Sequence, residues 1–303
     1  MVELDNLYKF CHQQYISDNC QNCPNGQCWH PGCASCDACL YDIHRACNHD
    51  KKYPCSKILY NYVLKCQSRY ASEIAWALHK ARPFTFYDEN NILCCSIGCG
   101  PCSEFYGLVA TLDSWKINRS KYIFYGFDDR PNKWKDITDF IGTQFQDIRY
   151  GVVDDSDFFA YAKSIQRPID IMFVNYMLSD IMRYDKQKAF VCIDEFVQLI
   201  VSHKIKTLII NDIALFYGAN DHRSSAYVAM NYLTNQLDRI VGNGIEYQKY
   251  HFSDPNEFQP TYGLKILDQY NNEPKICFKH CTIVDEYKPW KELKSILLVI
   301  KTS

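Results

Sequence analysis

The chain reads as an α/β protein: a mostly parallel sheet with helices on both faces and an antiparallel C-terminal end, preceded by a small metal-stabilised N-terminal module. Three observations point there. Short β-rich runs alternate with helical stretches from about residue 90 to residue 212, the pattern of parallel β-α units. Beyond about residue 240, strand-like runs follow one another without clear helices between them, the mark of an antiparallel end to such a sheet. Ten of the 17 cysteines fall in the first 66 residues, and residues 20–55, which hold eight of them, are otherwise poor in apolar side chains.

A length of 303 residues suits two domains, or one domain with an appendage. With 47% hydrophobic and 22% charged residues, the composition excludes a disordered chain, a collagen and a coiled coil. The net charge of -2 carries no global basic excess, so any nucleic-acid site has to be a local patch. No apolar run reaches the roughly 18–20 residues of a membrane span. The opening MVELDNLYKFCHQQ has neither a basic head nor an apolar core and reads as no signal peptide. A cytoplasmic, reducing location is expected, with the N-terminal cysteines on metal rather than in disulfides. The expected organisation is a Cys-rich metal-binding module over 1–56, a helical connector over 57–88 and an α/β domain over 89–303.

Residues 20–55 show no sustained helical or strand period, so a hydrophobic core cannot offset their ordering entropy. Coordination can, because thiolates two residues apart grip one tetrahedral ion. Cys20-x2-Cys23 and Cys36-x2-Cys39 are such pairs, and Cys28, Cys33, Cys47 and Cys55 supply a second ion, with His30, His44 and His49 as competing ligands. Two zinc ions are expected. The run Cys33-x2-Cys36-x2-Cys39 keeps an iron–sulfur cluster as the alternative, with Cys47 as fourth thiolate. Closed sites of this kind are structural, so these cysteines receive no catalytic role. Cys11 and Cys66 read as small buried apolar side chains.

Residues 57–82 lack glycine and proline, and their apolar residues fall near helical spacing; one long or two short helices end before Pro83 and can cover one face of the sheet. Strands are then expected at Ile92–Ile97, Tyr122–Phe127, Asp147–Val153, Ile169–Asn175 and Thr207–Asp212. Helices are expected at Cys102–Leu112, Lys133–Phe145 and Lys186–His203. The C-terminal part reads as a helix over Arg223–Ile240 and strands at Ile245–Phe252, Tyr262–Leu267, Ile276–Val284 and Ile296–Lys301. Cys94, Cys95, Cys99 and Cys102 read as packing residues rather than a metal site, since a strand sends Cys94 and Cys95 to opposite faces.

The sharpest local feature is Gly98-Cys99-Gly100, between the Ile92–Ile97 strand and a helix. Two glycines let the backbone turn tightly and approach a ligand with no Cβ in the way, and the next helix offers free N–H groups. The dinucleotide fingerprint needs a third glycine three residues on; position 103 is serine, which disfavours a nicotinamide or flavin. Asp128, at the tip of the second strand, can accept two ribose hydroxyls. Asp154 or Asp155, at the tip of the third, is placed for an adenine amino group. Asn175 and Tyr176 end the fourth strand, where open α/β sheets place their chemistry, and are the candidate catalytic residues.

Gly98-Cys99-Gly100, Gly126-Phe127-Asp128, the acid at Asp154 or Asp155, and Val174-Asn175-Tyr176 together resemble the class I S-adenosylmethionine-dependent methyltransferases, over about residues 90–303. The resemblance implies a Rossmann-like sheet with an antiparallel last strand, here Ile296–Lys301. It implies S-adenosyl-L-methionine as cofactor, bound by Ser96, Gly98, Gly100, Asp128, Asp154, Asp155 and Asn175. Ser96 stands where the family often has an acid, and Cys102 where it often has a third glycine. The amino-DNA methyltransferases that resemble this class carry prolines after the fourth strand, and Asn175-Tyr176-Met177-Leu178 has none. RNA or another nucleic acid is the expected acceptor, held partly by the metal module, whose Trp29, Tyr41 and Tyr53 can stack bases. Local basic residues include Lys51-Lys52, Lys116-Arg119-Lys121 and Arg130-Lys133-Lys135. Two alternatives stand beside this: a small-molecule methyltransferase, and a non-catalytic zinc-containing binding protein that kept the fold. No membrane partner is expected.

Overall fold

The computed structural model describes residues 2–17, 40, 55–81, 91–154, 158–213, 225–242, 245–252, 268–270 and 295–302. The expected metal ligands Cys20, Cys23, Cys28, Cys33, Cys36, Cys39 and Cys47, the alternatives His30 and His44, and Asp155 lie outside these residues, as do the expected strands Tyr262–Leu267 and Ile276–Val284.

Two helices open the described chain, α1 (Val2–Ser17) and α2 (Ser56–Ala81). The α/β part runs β1 (Ile92–Ile97), α3 (Ser103–Ser114), β2 (Tyr122–Asp128), α4 (Pro131–Gln144), β3 (Arg149–Asp154), α5 (Phe158–Ser164), β4 (Ile169–Asn175), α6 (Leu178–Tyr184), α7 (Lys186–Val201) and β5 (Ile205–Ile213). It continues with α8 (Ser225–Val241), β6 (Ile245–Phe252), β7 (Asp268–Tyr270) and β8 (Ser295–Thr302). One sheet holds all eight strands in the order β3-β2-β1-β4-β5-β8-β6-β7. β1 to β5 pair parallel. β8 lies antiparallel between β5 and β6, and the three-residue β7 pairs parallel with β6. The antiparallel end is therefore made by the last strand entering the sheet, with Ile296–Lys301 at its centre.

The strand period sorts side chains between two cores. Ile92, Cys94, Phe124, Ile171, Phe173, Ile209, Leu297 and Val299 are buried with α1 to α4 on one face. Leu93, Cys95, Ile97, Met172, Val174, Leu208, Ile210 and Leu298 are buried with α5 to α8 on the other. With both faces covered, β1 and β4 are buried along their whole lengths, which is why their sequences are mostly apolar on both alternating faces, with Ser96, Asp170 and Asn175 as the buried polar exceptions.

α2 is one continuous 26-residue helix packed along α3. The two helices approach closely at Gly107, where a Cβ would stand 2.7 Å from the Ala71 carbonyl oxygen and 2.9 Å from Ile74 Cβ. α1 was not foreseen as an element. Its Leu4, Leu7, Tyr8 and Cys11 recur at helical spacing and are buried, and the Tyr8 hydroxyl accepts the Ser68 N–H at 2.9 Å. Cys11 and Cys66 are both fully buried.

Candidate functional site

The strand order reverses between β1 and β4: the chain leaves β1 for β2 and β3 on one side, then crosses to β4 on the other. The helices on either side of such a point diverge, leaving a crevice at the carboxyl ends of the strands. The glycine turn lies there. Gly98 (φ 65°) and Gly100 (φ 47°) take left-handed backbone, which costs a side-chain-bearing residue strain. Cys102 adopts the same region (φ 56°) just before α3. Met177 Sδ comes within 3.0 Å of where a Gly98 Cβ would be, and the Trp134 indole within 3.6 Å of the same position on Gly100.

Asp128, at the end of β2, is 6% exposed and faces this turn. Its Oδ2 accepts the Gly100 N–H at 2.8 Å and its Oδ1 accepts the Arg130 N–H at 2.9 Å. The carboxylate thus fixes the glycine turn to the β2 tip, a role the sequence did not reveal. Asp154 stands level with Asp128 across the β2–β3 register. Asp129 is half exposed, with its Oδ2 3.8 Å from Arg130 Nε.

The β4 tip carries Asn175, paired in register with Asn211 of β5. Asn175 Nδ2 donates to Ser103 Oγ at 3.2 Å, and its Oδ1 accepts from Asn211 Nδ2 at 2.9 Å. Tyr176 has left-handed backbone (φ 54°), and its ring packs on Tyr70 with centroids 4.1 Å apart. Its hydroxyl donates to Glu73 Oε2 at 2.8 Å. Burial, and next the Glu73 carboxylate, push the Tyr176 phenol well above its ordinary value, so it stays protonated.

Glu73 of α2 is the hub of this edge. Its Oε2 also accepts from Asn211 Nδ2 at 2.7 Å, and its Oε1 accepts from Arg69 Nε and Ser295 Oγ, each at 3.0 Å. One carboxylate therefore ties α2 to the tips of β4 and β5 and to the start of β8. Nothing local in the sequence signals it, because three of its partners lie 103, 138 and 222 positions away.

Glu104, in the first turn of α3, is the second acid the sequence reading missed. It is 1% exposed. Its Oε1 accepts from Ser103 Oγ at 3.3 Å, whereas its Oε2 is buried with no hydrogen-bond partner among the described residues. Burial pushes its carboxyl up to about 7, and the Asp128 charge adds to that. Ser96, one residue from the end of β1, is fully buried with its Oγ likewise unpartnered among the described residues. Asp212, at the end of β5, is different: it accepts from the Ser179 N–H at 2.8 Å, from the Ser179 hydroxyl and from the Ile213 N–H at 2.7 Å. Burial pushes it up to about 6, and its bonds hold the start of α6.

The expected site residues Ser96, Gly98, Gly100, Asp128, Asp154 and Asn175 thus all fall at the carboxyl ends of β1 to β4 or on the turn that follows β1. Cys55 is the one expected metal ligand within the described residues, and it is partly buried just before α2. Among the described residues no group of three or more His, Cys, Asp or Glu side chains is placed to hold a metal ion.

No family model matches the chain, and neither does any curated protein. Among solved structures it is similar to the plantazolicin methyltransferase BpumL in complex with SAH, with 12% identity, 88% of this chain and 99% of that chain covered and a TM-score of 0.44. It is also similar to the 16S rRNA methylase ArmA, with 13% identity, coverage of 89% and 98%, and a TM-score of 0.41. A third likeness is to the METTL16 MTase domain, with 12% identity, coverage of 74% and 79%, and a TM-score of 0.40.

Proposed function

We propose that this chain is an S-adenosylmethionine-dependent methyltransferase whose cofactor lies across the carboxyl ends of β1, β2 and β4. The observation that carries the reading is the glycine turn at the reversal of strand order, in a sheet whose last strand enters antiparallel between β5 and β6. The residues fit such a group. The turn brings backbone to the crevice at two positions without a Cβ, Asp128 sets a carboxylate at the β2 tip for ribose hydroxyls, Asp154 stands beside it in register, and Ser96 Oγ and Glu104 Oε2 have no hydrogen-bond partner among the described residues. S-adenosylmethionine supplies a methyl group on a positively charged sulfur. The chain's own part is to hold the acceptor in line with it and to exclude water, and positioning of that kind supplies much of a transfer rate. Asn175 and Tyr176 border the place where an acceptor would enter. Titration calorimetry with S-adenosylmethionine and with NAD tests the reading: binding of the first alone is expected, whereas binding of NAD alone, or of neither, overturns it.

The domain organisation 1–56, 57–88 and 89–303 belongs to the same proposal, with two zinc ions on Cys20, Cys23, Cys28, Cys33, Cys36, Cys39, Cys47 and Cys55. Elemental analysis is expected to find two zinc per chain, and absence of zinc or a visible iron–sulfur absorption band rejects it. RNA or another nucleic acid is the proposed acceptor class, supported by the aromatic and lysine residues of the Cys-rich segment. Transfer of labelled methyl to total RNA, abolished by chelating the zinc, is the expected result.

A further inference from the structure

We infer that Cys99 and Cys102 are an oxidisable pair: a peroxide converts the two thiols into one disulfide that closes the turn between β1 and α3. The inference goes beyond the methyltransferase reading and does not depend on which ligand the crevice takes.

Cys99-Gly100-Pro101-Cys102 lies in the step from strand to helix, and two intervening residues are the spacing of dithiols that cycle between thiol and disulfide. The Cys102 N–H donates to the Cys99 carbonyl at 2.7 Å. A four-residue turn closed in this way brings its end Cα atoms within about 7 Å, and a disulfide spans Cα atoms about 4.4–6.8 Å apart. Both thiols are free. Their sulfurs lie 4.0 and 3.9 Å from one atom, the Gly100 carbonyl oxygen, and the Cys99 thiol hydrogen-bonds to Cys102.

Two features hold these sulfurs in place at a cost to the fold. Cys102 takes left-handed backbone (φ 56°), which a glycine would adopt without strain, and strain of this kind marks constrained functional positions. Gly126, inside β2, is the other. A Cβ there would stand 2.6 Å from Cys99 Sγ. Glycine weakens a strand interior and marks a close approach; what approaches here is the Cys99 sulfur.

The two thiols are not equivalent. Cys102 is the N-cap of α3, where the helix dipole favours a thiolate, and the Tyr150 hydroxyl donates to its sulfur at 3.3 Å. Cys99 keeps its proton, because the hydrogen bond to Cys102, and burial next, hold its thiol well above the ordinary value. Cys102 therefore takes the first step. Its sulfur attacks one peroxide oxygen, the O–O bond breaks, and Cys102 becomes a sulfenic acid as one water leaves. The Cys99 sulfur then attacks the Cys102 sulfur, the S–O bond breaks, and hydroxide departs with the Cys99 proton as a second water. Two thiols lose two protons and two electrons, and the peroxide is reduced to two waters. Burial opposes a thiolate but not an uncharged disulfide, so the pair oxidises slowly and the product, once formed, persists. Gly98, the partly exposed end of the turn, is the approach, and a peroxide, little larger than water, is the oxidant that suits it.

The test uses the full chain, reduced with a dithiol, freed of it and exposed to hydrogen peroxide. The chain is then unfolded, remaining thiols are blocked with iodoacetamide, disulfides are reduced and labelled with N-ethylmaleimide, and peptide fragmentation locates each label. N-Ethylmaleimide is expected on Cys99 and Cys102 in equal yield, about tenfold above that on Cys94 and Cys95, while far-UV circular dichroism before unfolding stays native. A dithiol added before blocking is expected to return both to iodoacetamide. Two variants separate the steps. In Cys99→Ser, dimedone, which traps sulfenic acid, is expected on Cys102. Cys102→Gly suits the left-handed position; it is expected to keep the native spectrum and to show neither N-ethylmaleimide nor dimedone on Cys99. Iodoacetamide on both cysteines of the full chain after peroxide overturns the inference. So does N-ethylmaleimide shared equally with Cys94 or Cys95, or label that appears only once the native spectrum is lost. Dimedone on Cys99 in Cys102→Gly overturns the order of the two steps. Should Cys99→Ser fail to fold, the labelling of the full chain still decides.

Discussion

Asp128→Ala separates two roles that meet in one side chain. The carboxylate accepts the Gly100 N–H at 2.8 Å and the Arg130 N–H at 2.9 Å. Gly100 is buried, so its N–H loses its acceptor where water cannot replace it, at a cost of about 1–3 kcal/mol. Arg130 is partly exposed, and its N–H can turn to water, at about 0.5–1.5 kcal/mol. Together Asp128→Ala should destabilise the chain by about 2–4 kcal/mol and lower Tm by roughly 3–6 °C. Urea denaturation followed by far-UV circular dichroism measures this without any ligand. The control is Asp129→Ala, whose side chain is half exposed and 3.8 Å from Arg130, its one ion-pair partner among the described residues; its effect should stay within about 0.5 kcal/mol. Equal effects at the two positions, or a loss below about 1 kcal/mol for Asp128→Ala, would refute the claim that this carboxylate holds the glycine turn. Cofactor affinity should fall by more than the stability change alone explains, because the turn and the ribose acceptor are lost together.

Glu73→Ala removes one acceptor from the buried Asn211 and Ser295, from the Tyr176 hydroxyl and from Arg69 at once; a loss of about 3–5 kcal/mol is expected by the same denaturation assay, and one below about 1 kcal/mol would disprove its role as hub. Glu104 and Asp212 both have folded-state values above their ordinary ones, about 7 against 4.5 and about 6 against 3.8. They favour the folded state while protonated, so stability should decline as pH rises from about 4 to about 7. Glu104→Gln should flatten that decline and stabilise the chain at pH 8 by up to about 3 kcal/mol; a pH profile unchanged in the variant would contradict it. Burial holds the Cys11, Cys94 and Cys95 thiols well above their ordinary value, and a hydrogen bond to Cys102 followed by burial does so for Cys99. Iodoacetamide at pH 8 should leave these four unmodified until the chain is unfolded, and rapid labelling of Cys99 in peptide maps of the native protein would show the turn to be open.

Much of the fold was legible because its signals are local. β1, β4 and β6 run over the expected residues, and α7 ends two residues short of its expected His203. Elements with weak local signals were missed. α5 and α6 have seven residues each, two turns in which a 3.6-residue period hardly repeats. α1 shows the period, but its Cys11 drew it into the Cys-rich segment. At the site, the turn glycines and the strand-tip acids follow from chain order alone, as strand, turn and helix do. Glu104 looks in sequence like any acid in a first helical turn, where the helix dipole welcomes it. Only three-dimensional packing shows that one of its oxygens is enclosed with no hydrogen-bond partner among the described residues. Glu73 is invisible for another reason: its meaning lies in partners brought together from four parts of the chain.

The placement of β8 has a consequence for synthesis. Ser295–Thr302 comes last among the described strands, yet it bonds β5 on one side and β6 on the other. A chain leaving the ribosome can assemble β1 to β5 with their helices, but the edge of β5, with Leu208, Ile209 and Ile210 at its middle, stays open until some eighty further residues have been made. At about 5–20 residues per second that is roughly 4–16 s. During that interval a long apolar strand edge is exposed to other nascent chains, the condition under which strands pair with the wrong partner. Shortening the chain at residue 294 would accordingly remove the seam of the sheet rather than its margin. It would separate β6 and β7 from the rest of the sheet and leave Glu73 without Ser295.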